Sequence, residues 1–146
     1  MSDSDIKLLK TAYQIASEAH VKQKDKAGKP YIYHPLYVAS KVKGTNEKVV
    51  ALLHDVIEDS NITYEDLISK GIPTELAAEV LLLTKDKGTD YFEYLSKVKN
   101  NEVAKHVKLA DLEHNSNLNR LKHITSKDYA RKQKYDKAIK YLREEQ

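Results

Sequence analysis

Cysteine is absent from the 146 residues. That excludes disulfides, thiolate nucleophiles and thiolate metal sites, and leaves the redox compartment open. Glycine occurs four times and proline three, too few for a loop-rich chain, so regular elements joined by short breaks are expected. No apolar run approaches the ~18 residues of a membrane span. The amino-terminal stretch MSDSDIKLLK lacks the apolar core of a secretory signal, so the expectation is a soluble, cytoplasmic protein with no membrane partner. Charge of one sign is scarce too. Lys+Arg number 25 against 22 Asp+Glu, a net charge of +3, and that balance offers no argument for a nucleic-acid partner. At this length a single domain with one core is expected over residues 1–146.

Sustained period-two alternation is missing as well, whereas spacings of three and four are common. Ile6, Leu9, Tyr13, Ala16, Ala19 and His20 mark one face of a helix from Ser4 to Lys22. Gly28, Pro30 and Pro35 break the next stretch, KQKDKAGKPYIYHP, into a loop. A short helix is predicted from Pro35 to Lys43, ended by Gly44 and Asn46, and another from Glu47 to Glu58. Thr63 with Asp66 three residues on has the form of a capping box before YEDLISK, and Gly71 closes that helix. Pro73 suits the first turn of the helix TELAAEVLLLT. Further helices are predicted over Tyr91–Lys99, Asn101–Leu121 and about 126–145. The fold class is therefore all-α, a bundle of seven or eight helices.

The run ALLHDVIED, residues 51–59, sets four ionisable groups among residues that a helix would bury. Glu58 follows His54 by four and Asp59 follows Asp55 by four, so each pair shares a face one turn apart. Burying such groups beside Leu52, Leu53, Val56 and Ile57 costs several kcal/mol per unpaired charge, and a cation among them offsets that cost. The alternative is a polar stripe facing water. His34 lies in PYIYHP, held between prolines, and Asp111 interrupts VKLADLEHN, with His114 and Asn115 on its face. His20 occupies an apolar position and reads as a supporting core histidine. His34, His54, Asp55 and Asp111 together make a nitrogen-and-oxygen set, which suits Mn²⁺, Fe²⁺ or Zn²⁺ better than Mg²⁺ or Ca²⁺.

In order, the segments AxxAH, GKPYIYHPLYVA, ALLHDVIEDSxxTxxDL, LLLTK and VKLADLEHN resemble the HD superfamily of metal-dependent phosphohydrolases. More narrowly, they resemble the hydrolase domain of RelA/SpoT-type proteins and the small alarmone hydrolases. The motif-bearing part runs from about residue 9 to 121. The resemblance implies that His34, His54, Asp55 and Asp111 ligate Mn²⁺ and that Glu58 and Asp59 handle the hydrolytic water. It further implies release of pyrophosphate from the 3′ position of guanosine tetra- or pentaphosphate, with Asn115 and Lys26 contacting the nucleotide.

Two stretches depart from the family pattern. The loop HVKQKDKAGKPY carries Asp25 where the family has an arginine that packs on the purine, and Leu112 and Asn117 replace two further arginines. An aspartate can neither stack on a base nor fork to phosphate, and it repels an anion close by. Lys22, Lys24, Lys26 and Lys29 surround it, so the loop stays positive and could hold phosphates as point charges. Arg120 is a candidate replacement, two to three turns beyond Asp111. Another small phosphoester, such as a nucleoside monophosphate or a dinucleotide phosphate, is the alternative substrate, and an inactive nucleotide-binding module the alternative class. Tyr129, Tyr135 and Tyr141 in the last helix could serve a homodimer interface.

Overall fold

The computed structural model describes residues 1–144. Nine α-helical segments follow one another: α1 (Asp3–Ala19), α2 (Tyr33–Ser40), α3 (Gly44–Leu53), α4 (Val56–Asp59), α5 (Tyr64–Ser69), α6 (Thr74–Leu82), α7 (Tyr91–Lys99), α8 (Glu102–Asn115) and α9 (Ser126–Arg143). A 3₁₀ turn at Leu118–Arg120 lies between the last two. The described residues contain no strand, only an isolated bridge between Lys24 and Pro30. The all-α expectation holds, and counting α3 and α4 as one interrupted helix gives the upper figure of eight. Glu145, the last residue expected in the final helix, lies outside the described residues.

Helix α3 forms the centre. Val49, Val50, Ala51, Leu52 and Leu53 are all buried, so the second half of this helix has no polar face to give to water. Helices α1, α2, α6 and α8 surround it. Helix α1 lays Ala12, Ile15 and Ala16 against it and is started by a capping box between Ser2 and Asp5. The predicted capping box of Thr63 and Asp66 opens α5, satisfying two backbone donors that a helix start otherwise leaves unpaired. Helix α9 packs along α8 and α7 and buries Ala138 and Leu142. Among the described residues no helix is long and apolar enough to cross a membrane.

Three boundaries differ from the sequence expectation, each for a local reason. Helix α2 begins two residues before Pro35, which occupies its first turn, where the missing N–H has no helical acceptor in any case. Gly44 does not end α2 but opens α3, at φ 79°, a conformation glycine adopts without steric penalty. The long helix expected to reach Leu121 stops at Asn115. There Asn117 turns its side chain onto the Asn119 N–H at 3.0 Å, a local bond that competes with helix continuation.

The most consequential difference is at residues 54 and 55. The predicted continuous helix 47–58 breaks there. The His54 N–H reaches back three residues to the Ala51 carbonyl, at 3.5 Å, and Asp55 sits at φ −103°, ψ 0°, in the sparsely populated bridge region. In an unbroken helix these neighbours would point about 100° apart. The break takes them out of helical register, and their side chains meet.

Candidate metal centre and its flanking cavities

Three segments deliver the four central groups. His34 comes from the first turn of α2, His54 and Asp55 from the break after α3, and Asp111 from the last turns of α8. One ligand-type atom of each lies within 4.8 Å of all the others. His34 Nε2 stands 2.8 Å from Asp111 Oδ1 and 3.7 Å from Asp55 Oδ2, while His54 Nε2 stands 3.0 Å from Asp55 Oδ2 and 3.4 Å from Asp111 Oδ1. Both imidazoles are almost completely buried, as is Asp111.

The donor set fits a divalent cation. His54 Nδ1 donates to the Ala51 carbonyl at 2.6 Å, which fixes the tautomer and turns Nε2 towards the carboxylates. Nε2 is buried and neither nearby carboxylate is aligned to bond it, an arrangement that a cation at the centre would satisfy. His34 Nδ1 faces His114 Nδ1 at 2.7 Å. Burial, followed by the charge of Arg120, lowers the His114 pKa to about 4, so that ring is neutral at physiological pH and its Nδ1 can accept. Its face stacks on Tyr37 at 3.9 Å between ring centroids, and the hydrogen-bonded His34 ring lies nearly parallel to it at 5.0 Å. Two imidazoles and two carboxylates, with no thiolate, match Mn²⁺, Fe²⁺ or Zn²⁺.

The surrounding groups set the charge state. Burial alone would raise both aspartates. At Asp55 the charge and close contact of His54, with the charge of His34, together outweigh it, and the pKa falls to about 2. At Asp111 the charge of Lys108, the hydrogen bond of His34 and the close contact of His54 together do so, and the carboxyl is held well below the carboxylate range. Conversely, burial disfavours the cation on His54, but the charges of Asp55 and Asp111 hold its pKa well above the usual value. Each carboxylate has a supporting donor. The Tyr31 hydroxyl donates to Asp55 Oδ2 at 2.6 Å, and Lys108 Nζ and Asn115 Nδ2 donate to Asp111 Oδ2 and Oδ1, each at 3.0 Å.

Glu58 and Asp59 stand beside this cluster but face different neighbours. Glu58 Oε1 accepts from the Lys85 backbone N–H at 3.3 Å. Asp59 Oδ2 accepts from Gln23 Nε2 at 3.0 Å, and Gln23 Oε1 in turn contacts His20 Nδ1 at 2.8 Å. His20 is thus buried at one end of a chain leading to Asp59. Burial and the charge of Asp55 push the Glu58 carboxyl up. Burial also raises Asp59, despite its bond to Gln23.

Two cavities open on either side of the cluster. One, of about 300 Å³, is walled by Lys24, Lys26, Asn115, Arg120, Arg131 and Tyr135, with His34 at its inner end. The other, of about 350 Å³, includes His54, Asp55, Asp111 and Glu58 in its wall, together with Lys85, Lys108 and Lys134. The first therefore presents a surplus of cationic side chains to an anionic ligand, while in the second the three lysines stand against the three carboxylates of Asp55, Asp111 and Glu58. Lys24 and Lys26 reach the first cavity and Lys22 does not. Asn115 lies between the two, with its amide N–H₂ already bonded to Asp111. Arg120 also lines the first cavity, bound to Asp25 at 3.2 Å, so the aspartate is not the bare repulsive charge expected there.

Sequence reasoning missed several of these groups. Lys108 precedes Asp111 by three residues in VKLAD, a spacing that itself signals a pair on one helix face. Tyr31 lies inside PYIYHP, yet nothing local says that its hydroxyl meets Asp55. Arg131, Lys134 and Tyr135 share one face of α9, whose fold back over the site has no sequence signal. Of the three tyrosines considered for a dimer interface, Tyr135 and Tyr141 pack partly buried against this chain's own core, while Tyr129 is exposed.

Comparison with known proteins gives consistent likenesses. No family model matches the chain. A guanosine-3′,5′-bis(diphosphate) 3′-pyrophosphohydrolase of Aquifex aeolicus is 46% identical over 63 residues, 40% of this chain and 9% of that protein. The bifunctional (p)ppGpp synthase/hydrolase SpoT of Escherichia coli K12 is 41% identical over 97 residues, 62% of this chain and 14% of that protein. The chain thus matches only a small part of these much longer relatives. Among solved structures, a metazoan SpoT ortholog described as hydrolysing ppGpp superposes with a TM-score of 0.73 at 25% identity. The match covers 98% of this chain and 87% of the other.

Proposed function

We propose that this chain, an HD-type domain of the RelA/SpoT hydrolase kind, is a cytoplasmic, metal-dependent phosphohydrolase that removes pyrophosphate from the 3′ position of guanosine 3′,5′-bis(diphosphate), with residues 1–146 acting as one domain. The observation that carries the reading is the convergence of His34, His54, Asp55 and Asp111 on one point between two cation-lined cavities. The curated relatives named for this activity support the substrate.

In this reading the four residues hold a divalent ion, Mn²⁺ foremost, with Fe²⁺ and Zn²⁺ compatible with the same donors. When bound, such an ion supplies Lewis-acid polarisation of a phosphoryl oxygen. Glu58 is the general base. It lines the same cavity as the ligand set, and its raised pKa brings it closer to the operating pH, where proton acceptance is most effective. Asp59, tied to Gln23 and through it to His20, orients the attacking water. Lys85, Lys108 and Lys134 take up charge on the departing pyrophosphate. Lys24, Lys26 and Asn115 hold the nucleotide in the neighbouring cavity, with Lys22 adding charge at the loop's outer side.

The replacement of the family's arginines by Asp25, Leu112 and Asn117 favours a second reading with the same site but another small phosphoester, a nucleoside monophosphate or a dinucleotide phosphate. A nucleotide panel with Mn²⁺ separates the two. The expected result is pyrophosphate from the 3′-diphosphate. Orthophosphate from a monoester identifies the second reading, and tight binding without turnover across the panel identifies a binding module.

Tyr31→Phe tests the support of Asp55. Loss of the 2.6 Å hydroxyl bond should lower metal affinity by about 10–100-fold, as removal of a ligand's hydrogen-bond partner generally does. Titration with Mn²⁺ followed by calorimetry measures it, and unchanged affinity would show that Asp55 is held without this bond.

A further inference from the structure

We propose that Asp25 and Arg120 act as a strut that fixes the lysine loop to the end of α8 and so pre-positions Lys24 and Lys26 for an anionic nucleotide, neither member of the pair reading the ligand itself. The inference rests on the function proposed above. It concerns the position at which this chain departs most plainly from the pattern it otherwise resembles.

Both carboxylate oxygens of Asp25, and both terminal nitrogens of Arg120, are engaged within the protein. Asp25 Oδ1 accepts from the backbone N–H groups of Ala27 at 2.9 Å and Lys29 at 3.0 Å. Asp25 Oδ2 accepts from Arg120 Nη2 at 3.2 Å. Arg120 Nη1 donates to the His114 carbonyl at 3.0 Å, one of the last carbonyls of α8, where a cation also meets the negative end of the helix dipole. The Asp25 side chain is 9% exposed, so a ligand in the cavity meets little of it. Residues 23–31 are closed by the Asp25 N–H to Lys29 carbonyl bond at 2.9 Å and the Tyr31 N–H to Gln23 carbonyl bond at 2.9 Å. Gly28 makes the turn at φ 84°, a conformation that side-chain-bearing residues rarely adopt.

The physical consequence has two parts. An isolated aspartate here would repel phosphate, but a guanidinium forked between it and the end of α8 cancels that charge. The lysines that remain are point charges on flexible four-carbon stems. Fixing the backbone beneath them lowers the ordering entropy paid on binding, which is the way preorganisation raises affinity. The acid at 25 and the base at 120 thus form a matched pair from distant parts of the chain.

The test is a double-mutant cycle of Asp25→Asn, Arg120→Gln and the combination. Asn retains an oxygen for the two loop amides while losing the charge that holds Arg120. Steady-state kinetics on guanosine 3′,5′-bis(diphosphate) with Mn²⁺ are paired with tryptic cleavage of the loop at Lys24 and Lys26 without nucleotide. Each single variant should raise KM by up to about fivefold, the range of a partly exposed ion pair, with a smaller change in kcat, and should speed loop cleavage. The double variant should be no worse than Arg120→Gln alone, and Arg120→Lys should recover part of the loss. Multiplying KM effects, the sign of direct and independent contacts, overturn the proposal, and so does an unchanged cleavage rate in the single variants. Absence of turnover by the wild-type protein would instead count against the proposed function, and the cleavage measurement would still judge the strut.

Discussion

Asp111→Asn protein, purified and analysed for metal, is expected to retain no more than about a hundredth of the wild-type Mn²⁺ affinity and to show no measurable turnover. Losing a mere supporting partner of a ligand costs about 10–100-fold in affinity, and Asp111 is both a proposed ligand and the hub of its own supports. Lys108 Nζ and Asn115 Nδ2 both donate to it. The amide keeps the shape of the side chain but removes its charge. Lys108, buried nearby, then loses the carboxylate that keeps its pKa well above the usual value despite burial. Breaking one partner of a buried pair costs about 3–5 kcal/mol, so a lower melting temperature is expected as well. Asp55→Ala separates the two effects, because Asp55 carries no buried lysine. It should melt closer to wild type and still fail to hold the ion. Wild-type Mn²⁺ binding by the Asp55 variant would overturn the ligand set.

Glu58→Gln should do the opposite: keep the ion and lose the rate. A positioned general base contributes about 10²–10⁴-fold, so kcat is expected to fall by that range while elemental analysis still finds metal. The pH profile gives an independent check. Burial and the Asp55 charge raise the Glu58 pKa, and the base must be unprotonated to act. The acid limb of kcat/KM in the wild type should report the Glu58 carboxyl, with activity lost as pH falls through its pKa. That limb should vanish in Glu58→Gln. Stability follows the same shift with the opposite consequence. A carboxyl with a raised pKa in the folded state binds its proton more tightly there than in the unfolded chain. Its contribution therefore favours folding at low pH and is lost as pH rises through the raised pKa. The metal-free glutamine variant should accordingly melt no lower than wild type at neutral pH. An unaltered kcat in this variant would move the base to Asp59.

Much of the site is legible along the chain because ionisable groups inside apolar runs are conspicuous. His54 and Asp55 follow five buried residues, and Asp111 lies among Leu109, Ala110 and Leu112. Such placements cost too much to persist without partners. Helix starts were legible for a similar reason, since Thr63 and Asp66 satisfy backbone donors within four residues of sequence. The break between α3 and α4 was not legible. VIED continues the helical pattern of ALL, and the turn at His54 follows from where its imidazole must reach. Asp25 misled for the same reason: read alone it is a repulsive charge, and its guanidinium partner lies on the far side of the molecule's topology.

What the amino-acid sequence determines by itself is the helical class, most element positions and the identity of the four groups that meet. Periodicity, caps and the burial of polar residues are properties of neighbours within a few residues of one another. What only the tertiary structure decides is the company these groups keep. The Tyr31 hydroxyl on Asp55, the His114 ring on His34, Arg120 on Asp25, and the placing of Arg131 and Lys134 from α9 in the two cavity walls all depend on how helices cross. Crossing is set by the summed packing of many apolar side chains against α3, and no short stretch of the chain encodes that sum.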